Sequence, residues 1–200
     1  MGYSLNGIIY KYIIDPVLSH YYHRIISELK PGFNVLDVAC GTGSLSLAMS
    51  GVAGRVTGID MSEEMIDIAI SSAKRKNINN VHFIIKDASD LSVYDDNEYD
   101  IAVASMTIHQ FDTDLALSIL AEMKRIADRV VLMDYNYPIP AGISKLVIFI
   151  IERIAGGDHY RNFRRFNSLG GLPYFIHESV LKLESDKLRS GSAFSILVCS

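Results

Sequence analysis

Short apolar runs alternate with segments of helical periodicity from residue 33 onward. The runs read as strands at residues 34–39, 55–59, 81–86, 99–105 and 129–134. The segments between them predict helices at residues 44–50, 62–76 and 113–126. Because parallel strands are covered on both faces, near-continuous apolar runs joined by amphipathic helices predict a doubly wound α/β sheet.

The two flanking regions depart from this alternation. Residues 16–29 have helical spacing and end at Pro31-Gly32, which predicts an N-terminal helical cover within residues 1–30. The alternation also lapses over residues 135–179, where glycine pairs and prolines surround one predicted helix at 143–155. We interpret this second region as a lid-like insertion.

The C-terminal residues predict the edge of the sheet. Segments 181–189 and 193–199 flank Ser190-Gly191-Ser192 and predict a β-hairpin. Five parallel strands and this hairpin give a mostly parallel seven-stranded sheet with helices on both faces and an antiparallel C-terminal edge. A chain of 200 residues fits one such domain, residues 1–200.

Charge and composition limit the classes of molecule that the protein is expected to bind and the compartment in which it is expected to work. A net charge of −4 without a Lys/Arg-rich run disfavours nucleic acid and favours a small-molecule substrate. Cys40 and Cys199 lack metal or disulfide spacing, so we expect cytosolic thiols and no metal. The chain begins without a secretory signal, and its most apolar stretch, residues 143–155, is too short to span a membrane. We therefore expect a cytoplasmic location.

Acidic residues follow three consecutive predicted strands. Asp37 lies near the end of the first strand and is followed by a turn that contains Gly41 and Gly43, while Asp60 and Asp87 close the next two strands. Open α/β sheets bind ligands at the carboxyl ends of their strands. The sequence therefore predicts a ligand site lined by three carboxylates.

Two ligands suit a glycine-rich turn followed by acidic residues. A dinucleotide is disfavoured, because Ser46 stands where that fingerprint requires glycine or alanine and the turn carries no lysine or arginine. S-adenosylmethionine carries a positively charged ammonium and sulfonium, two ribose hydroxyls and an adenine amine. Carboxylates can attract the positive charges and accept hydrogen bonds from the N–H and O–H groups. A nicotinamide-dependent oxidoreductase and a noncatalytic S-adenosylmethionine-binding module remain as alternatives.

Four motifs follow one another along the predicted sheet: DVACGTG at 37–43, GIDMS at 58–62, KDA at 86–88 and YDIAVAS at 99–105. In order and spacing they resemble those of class I S-adenosylmethionine-dependent methyltransferases. They closely resemble the branch that contains the ubiquinone and menaquinone ring methylases. Ala39 stands where the family often has a glycine, and residues 104–107 lack the Asn/Asp-Pro-Pro-aromatic motif of the members that methylate planar amines and amides, which disfavours methylation of DNA adenine.

The resemblance implies a role for each cofactor-binding position. The methionine part is expected to lie against Asp37 and the backbone of Ala39, Cys40, Gly41, Thr42 and Gly43. Asp60 is expected to bind the ribose hydroxyls. The remaining implied roles are adenine packing by Met61, acceptance from the adenine amine by Asp87, backbone donation by Ala88 and lining of the site beneath the sulfonium by Ser105.

The implied reaction is direct in-line displacement, which leaves S-adenosylhomocysteine and requires no nucleophile from the protein. A phenol, enol or ring-carbon acceptor needs a base, and His109 is the candidate, with packing or helix capping as the alternative. The candidate acceptor-binding residues are Tyr10, Tyr12, His159, Tyr160 and Arg161. For the tyrosines the alternative is packing, and for Arg161 a solvated helix face.

Overall fold

Seven strands form one mixed sheet in the computed structural model, which describes residues 15–187 and 192–200. The strands are β1 (Asn34–Val38), β2 (Arg55–Asp60), β3 (Val81–Ile85), β4 (Tyr99–Ser105), β5 (Ala127–Tyr135), β6 (Leu183–Asp186) and β7 (Phe194–Cys199). Their spatial order is β3-β2-β1-β4-β5-β7-β6. Strands β1 to β5 pair in parallel, and β7 pairs antiparallel with both β5 and β6. The predicted fold class is confirmed.

Helices connect and cover the strands. They are α1 (Asp15–Ile26), α2 (Ser44–Met49), α3 (Glu63–Arg75), α4 (Thr113–Ile126), α5 (Ile143–Ala155), α6 (Gly157–Leu169) and α7 (Leu172–Glu178), with a 3-10 helix at Ile108–Gln110. Ser62 caps α3, since its hydroxyl accepts from the Met65 backbone N–H at 3.3 Å. None of the helices in the described residues is long and apolar enough to cross a membrane.

Burial along the strands follows their position in the sheet. Consecutive residues of β1, β4 and β7 are buried, so both faces of the central sheet are covered. The expectation that β3 is covered in the same way is wrong. Ile84 and Ile85 are exposed, because β3 is an edge strand.

The insertion after β5 contains three helices, whereas the sequence predicted one. The predicted helix is α5, and α6 and α7 follow it after Gly156 and after the pair Gly170-Gly171. All three glycines have positive φ, a conformation that ends one helix and allows the chain to turn into the next. The glycines therefore mark the boundaries between helices. Helices α6 and α7 bury three phenylalanine side chains, Phe163, Phe166 and Phe175. The insertion is therefore part of the packed core.

Helix α1 attaches the N-terminal region to the sheet. Its residues Leu18, Tyr22 and Ile25 are buried in the core. The Thr42 hydroxyl donates a hydrogen bond to the Asp15 carboxylate at 2.5 Å, which joins α1 to the glycine-rich turn. Tyr10 and Tyr12 lie outside the described residues.

Candidate functional site

A cavity of about 520 Å³ lies at the carboxyl ends of the parallel strands, between the glycine-rich turn, α1 and the insertion. One half, which we name the donor half because S-adenosylmethionine is predicted there, is lined by Asp37, Ala39, Cys40, Gly41, Thr42, Ser44, Asp60, Ser62 and Met65. The other half, the acceptor half, is lined by Met106, Thr107, His109, Gln110, Tyr135, Ile151, Glu152, Ile154, Ala155 and His159. Ser105 also lines the cavity. A volume of this size suits small-molecule ligands.

The glycine-rich turn runs through left-handed backbone conformations. Ala39, Gly41 and Gly43 have φ values of 52°, 53° and 73°. A Cβ atom on Gly43 would lie 2.5 Å from the Phe83 ring, so only glycine fits there. Ala39 keeps a left-handed conformation at the position where the family often has glycine, which explains why a small residue is retained there.

Asp37 is buried beneath this turn. The Ser46 hydroxyl donates to Asp37 Oδ2 at 2.5 Å and thereby orients the carboxylate. Burial, reinforced by the negative charge of Asp60, raises the pKa of Asp37 to about 7 although the Ser46 hydrogen bond opposes this. Ser46 occupies the position at which a dinucleotide-binding turn requires glycine or alanine, and here its hydroxyl orients the Asp37 carboxylate in the donor half.

Asp60 at the end of β2 holds the turn in place. Its Oδ2 accepts from the Gly41 backbone N–H and its Oδ1 from the Ser62 backbone N–H, each at 2.9 Å. Each oxygen keeps further acceptor capacity, because a carboxylate has about four lone-pair sites. Asp60 can therefore fix the loop and accept hydroxyl donors from a ligand.

The residues expected at adenine lie outside the cavity lining. Met61 is 69% exposed and Asp87 is also exposed, whereas Ala88 is buried. Asp87 Oδ1 accepts from the Ser89 backbone N–H and hydroxyl, both at 2.8 Å, and these bonds lower the pKa of Asp87. Their roles toward adenine stay predictions.

Two small polar side chains in the cavity lining are Cys40, of the donor half, and Ser105. Burial raises the pKa of Cys40 well above its usual value, so its sulfur stays a thiol and is no nucleophile at neutral pH. The Ser105 hydroxyl is buried and has no hydrogen-bond partner among the described residues. A buried polar atom without a partner is costly, so it favours a ligand at this point.

A buried hydrogen-bond network occupies the acceptor half. Asp134 at the end of β5 accepts from the His109 backbone N–H at 3.1 Å and lies 2.6 Å from His109 Nδ1. Glu152 of α5 accepts from the Tyr135 hydroxyl at 2.7 Å and lies 2.7 Å from His159 Nε2. The network joins the sheet to the insertion.

The position of His109 disfavours its predicted role as a base. Burial by itself lowers the pKa of His109, but Asp134 and Glu152 outweigh it and raise the pKa to about 10. An imidazole with this pKa is protonated at neutral pH and does not accept a proton. Burial by itself raises the pKa of Glu152, but the nearby His109 and the hydrogen bond from His159 outweigh it and hold this pKa well below its usual value.

The predicted acceptor residues of α6 separate into two groups. His159 lines the cavity, whereas Tyr160 packs against Phe163 with 6.4 Å between ring centroids. Arg161 is 73% exposed and pairs with Asp158 on the solvent side of the helix. The structure therefore does not bring Tyr160 or Arg161 into the cavity, and a solvated helix face describes Arg161.

Sequence reasoning missed Asp134, Tyr135 and Glu152. Glu152 could have been recognised from the sequence, because it is a charged residue within the most apolar stretch of the chain. The structure shows that it is almost completely buried. Asp134 and Tyr135 had no comparable signal, since an acidic residue at the end of a strand is also common in turns. Only their contacts with His109 and Glu152 reveal them.

A mostly parallel seven-stranded sheet with an antiparallel edge, a glycine-rich turn after β1 and acidic residues after β1 and β2 define the class of Rossmann-like S-adenosylmethionine-dependent methyltransferases. A family model described as "Methyltransferase domain" matches residues 29–153. The chain belongs to this methyltransferase family.

Relatives extend the similarity over most of the chain. It is 30% identical over 175 residues to a demethylmenaquinone methyltransferase of Shouchella clausii (strain KSM-K16), which covers 81% of this chain and 69% of the relative. A demethylmenaquinone methyltransferase of Staphylococcus haemolyticus (strain JCSC1435) is 35% identical over 102 residues, 50% of this chain and 41% of the relative. The chain thus spans less than half of that second relative.

Solved structures share the fold at lower identity. The magnesium protoporphyrin IX methyltransferase of Synechocystis PCC 6803, crystallised with bound S-adenosylhomocysteine, superposes with a TM-score of 0.63. The match covers 92% of this chain and 82% of that chain at 19% identity. At this identity the comparison shows the fold alone.

Proposed function

We propose that this chain transfers a methyl group from S-adenosylmethionine to a small-molecule acceptor held in the acceptor half of the cavity. The observation that carries the proposal is that one cavity of about 520 Å³ contains both the acidic, glycine-rich lining and the apolar lining from the insertion. Direct displacement requires donor and acceptor to lie side by side in a shared, enclosed space. A noncatalytic binding module would not need the second half.

The residues of the donor half fit S-adenosylmethionine. Asp37 and the backbone of residues 39–43 would hold the methionine part, and Asp60 would accept from the ribose hydroxyls. The buried Ser105 hydroxyl, which has no partner among the described residues, would line the site near the sulfonium. Met61, Asp87 and Ala88, which lie outside the cavity lining, would contact adenine.

Direct methyl transfer requires the protein to position donor and acceptor and does not require a nucleophile from the protein. S-adenosylmethionine supplies a methyl group already activated by the sulfonium, and transfer itself needs no metal. The buried network of Asp134, His109 and Glu152 would hold the insertion against the sheet, which excludes water and keeps the two halves aligned. Positioning of this kind contributes a large part of the barrier reduction in such reactions.

The acceptor half favours a molecule with an apolar body and one polar group. Ile151, Ile154 and Ala155 supply an apolar wall, while Glu152 and His159 supply polar atoms. The relatives named demethylmenaquinone methyltransferases suggest, by their names, an apolar acceptor of the quinol type. We propose a hydroxyl-bearing planar molecule of that chemical class.

Labelled methyl donor tests the reaction directly. The protein is incubated with isotopically labelled S-adenosylmethionine and a metabolite extract, and labelled products are separated and identified by mass spectrometry. We expect label in a small organic molecule and stoichiometric S-adenosylhomocysteine, with no thermal shift from NADH because the site lacks the dinucleotide fingerprint. Binding of the donor without any label transfer to extracts that contain quinols would support the noncatalytic alternative.

The pKa of Asp37 makes cofactor binding depend on pH. If Asp37 binds the cofactor ammonium, it must be ionised, and its pKa of about 7 means that it is protonated in the free protein at lower pH. The affinity for S-adenosylhomocysteine is therefore expected to fall by up to about tenfold per pH unit below pH 7 and to level off above it. Calorimetric titrations between pH 5.5 and pH 8.5 measure this.

The matched variant is Asp37→Asn, which keeps the shape of the side chain but cannot ionise. It should bind more weakly at pH 8, and its affinity should lose the pH dependence across neutrality. A wild-type slope that persists in Asp37→Asn would assign the titration to another group.

A further inference from the structure

Three potential metal ligands meet in the acceptor half although they come from separate segments. His109 follows β4, Glu152 lies on α5 and His159 lies on α6. Their ligand atoms all lie within 4.8 Å of one another. We propose that His109, Glu152 and His159 bind one divalent transition-metal ion, with an open coordination position toward the cavity. Two imidazole nitrogens and a carboxylate are a ligand set that suits zinc or iron(II).

The distances leave room for an ion. His109 Nε2 and Glu152 Oε1 are 3.6 Å apart, which is long for a hydrogen bond. Two ligands on one tetrahedral ion lie about 3.4 Å apart, given metal–ligand bonds of about 2.1 Å. His159 Nε2 is 2.7 Å from Glu152 Oε2, so these two atoms must separate by about 0.7 Å to share an ion. His159 is 23% exposed and has space for that rotation.

Neighbouring groups hold the ligands in suitable orientations. Asp134 Oδ1 lies 2.6 Å from His109 Nδ1, which leaves His109 Nε2 as the nitrogen that faces Glu152. A carboxylate on the far nitrogen of a ligating histidine is the usual outer arrangement of metal sites. The Tyr135 hydroxyl fixes Glu152 by its 2.7 Å hydrogen bond.

The charge of the cluster also favours a cation. Asp134 and Glu152 are 0% and 3% exposed, and no lysine or arginine of the described ranges pairs with either carboxylate. Buried carboxylates need compensating positive charge. Protonated His109 compensates one of the two negative charges, and a divalent ion that displaces its Nε2 proton would compensate both.

The ion would add a chemical capability that the histidines lack. A metal with an open position binds an oxygen atom and lowers the pKa of a bound hydroxyl, so an acceptor hydroxyl could be held and acidified there. This catalytic role rests on the proposed function, whereas metal binding itself does not. The tests are therefore made on binding, in the absence of S-adenosylmethionine.

The full chain, stripped of metal with a chelator, is titrated with cobalt(II), whose visible absorption reports its ligands, and with zinc and anaerobic iron(II) by calorimetry. We expect one ion per chain. The variants His159→Ala and Glu152→Gln should weaken binding by at least about 100-fold, because loss of a direct ligand exceeds loss of an outer one. The control is His177→Ala, since His177 is 84% exposed on α7 and should be dispensable.

The circular dichroism spectrum and thermal unfolding of each variant serve as the folding control, so the metal test does not depend on the proposed cofactor site. Saturation at one ion that is lost in His159→Ala and Glu152→Gln but kept in His177→Ala supports the site. Wild-type protein that binds no ion, or folded variants that bind ions as tightly as wild type, would overturn it. In either case the network is a structural one, and the proposed methyl transfer would stand on its own test.

Discussion

Replacement of Asp60 by alanine is expected to weaken S-adenosylhomocysteine binding by roughly 30- to 1,000-fold, equivalent to about 2 to 4 kcal/mol. The carboxylate accepts from the Gly41 and Ser62 backbone N–H groups and, in the proposed complex, from the ribose hydroxyls as well. A methyl group replaces neither set of bonds. The variant therefore loses ligand contacts and the support of the glycine-rich turn together.

Isothermal titration calorimetry measures the change, with Asp67→Ala as the matched control. Asp67 is an exposed carboxylate on the nearby helix α3, so its removal alters charge by the same amount without touching the turn. The control should bind within about twofold of wild type, because exposed charges contribute little. Wild-type affinity in a folded Asp60→Ala protein would show that the ribose assignment is wrong.

Replacement of Asp134 by asparagine is expected to lower the free energy of unfolding by about 3 kcal/mol at neutral pH, because breaking a buried charge pair leaves its partner uncompensated. Asp134 lies 2.6 Å from His109 Nδ1 and accepts from two backbone N–H groups, those of His109 and Tyr135. An amide keeps one acceptor oxygen but loses the charge opposite the imidazole.

Denaturant unfolding followed by circular dichroism measures this loss. The control is Asp128→Asn, an exposed position on the same strand, which should stay within about 0.5 kcal/mol of wild type. Equal stability of the two variants would mean that the Asp134–His109 contact contributes nothing to the fold. A loss confined to Asp134→Asn would show that the buried contact between β5 and His109 stabilises the fold.

The sequence was sufficient for the sheet and its main helices because these depend on local periodicity. Strand β4 and helices α4 and α5 have the predicted ends, and the C-terminal hairpin supplies strands β6 and β7. The predicted exposure failed at β3, since an apolar run does not state whether a strand is central or at an edge. The helices α6 and α7 were missed because their boundary glycines resemble loop residues.

The residues of the donor half could also be predicted from the sequence. Its residues come from turns that directly follow strands, and the carboxyl ends of parallel strands meet at one rim whatever the details of packing. The order Asp37, Gly41, Gly43 and Asp60 along the chain therefore indicates proximity in space. The left-handed conformation of Ala39 and the bond from Ser46 to Asp37 were added by the structure.

The acceptor half was decided by the tertiary structure alone. Glu152 and His159 belong to helices whose inward face depends on how the insertion packs, and Arg161, only two residues beyond His159, points to solvent. The burial of Phe163 and Phe166 sets the rotation of α6 and so determines which of its polar residues turn toward His109. The short turns that follow the parallel strands determine the donor half, so the sequence alone predicts it. The packing of the insertion helices determines which polar side chains line the acceptor half, so only the tertiary structure reveals them.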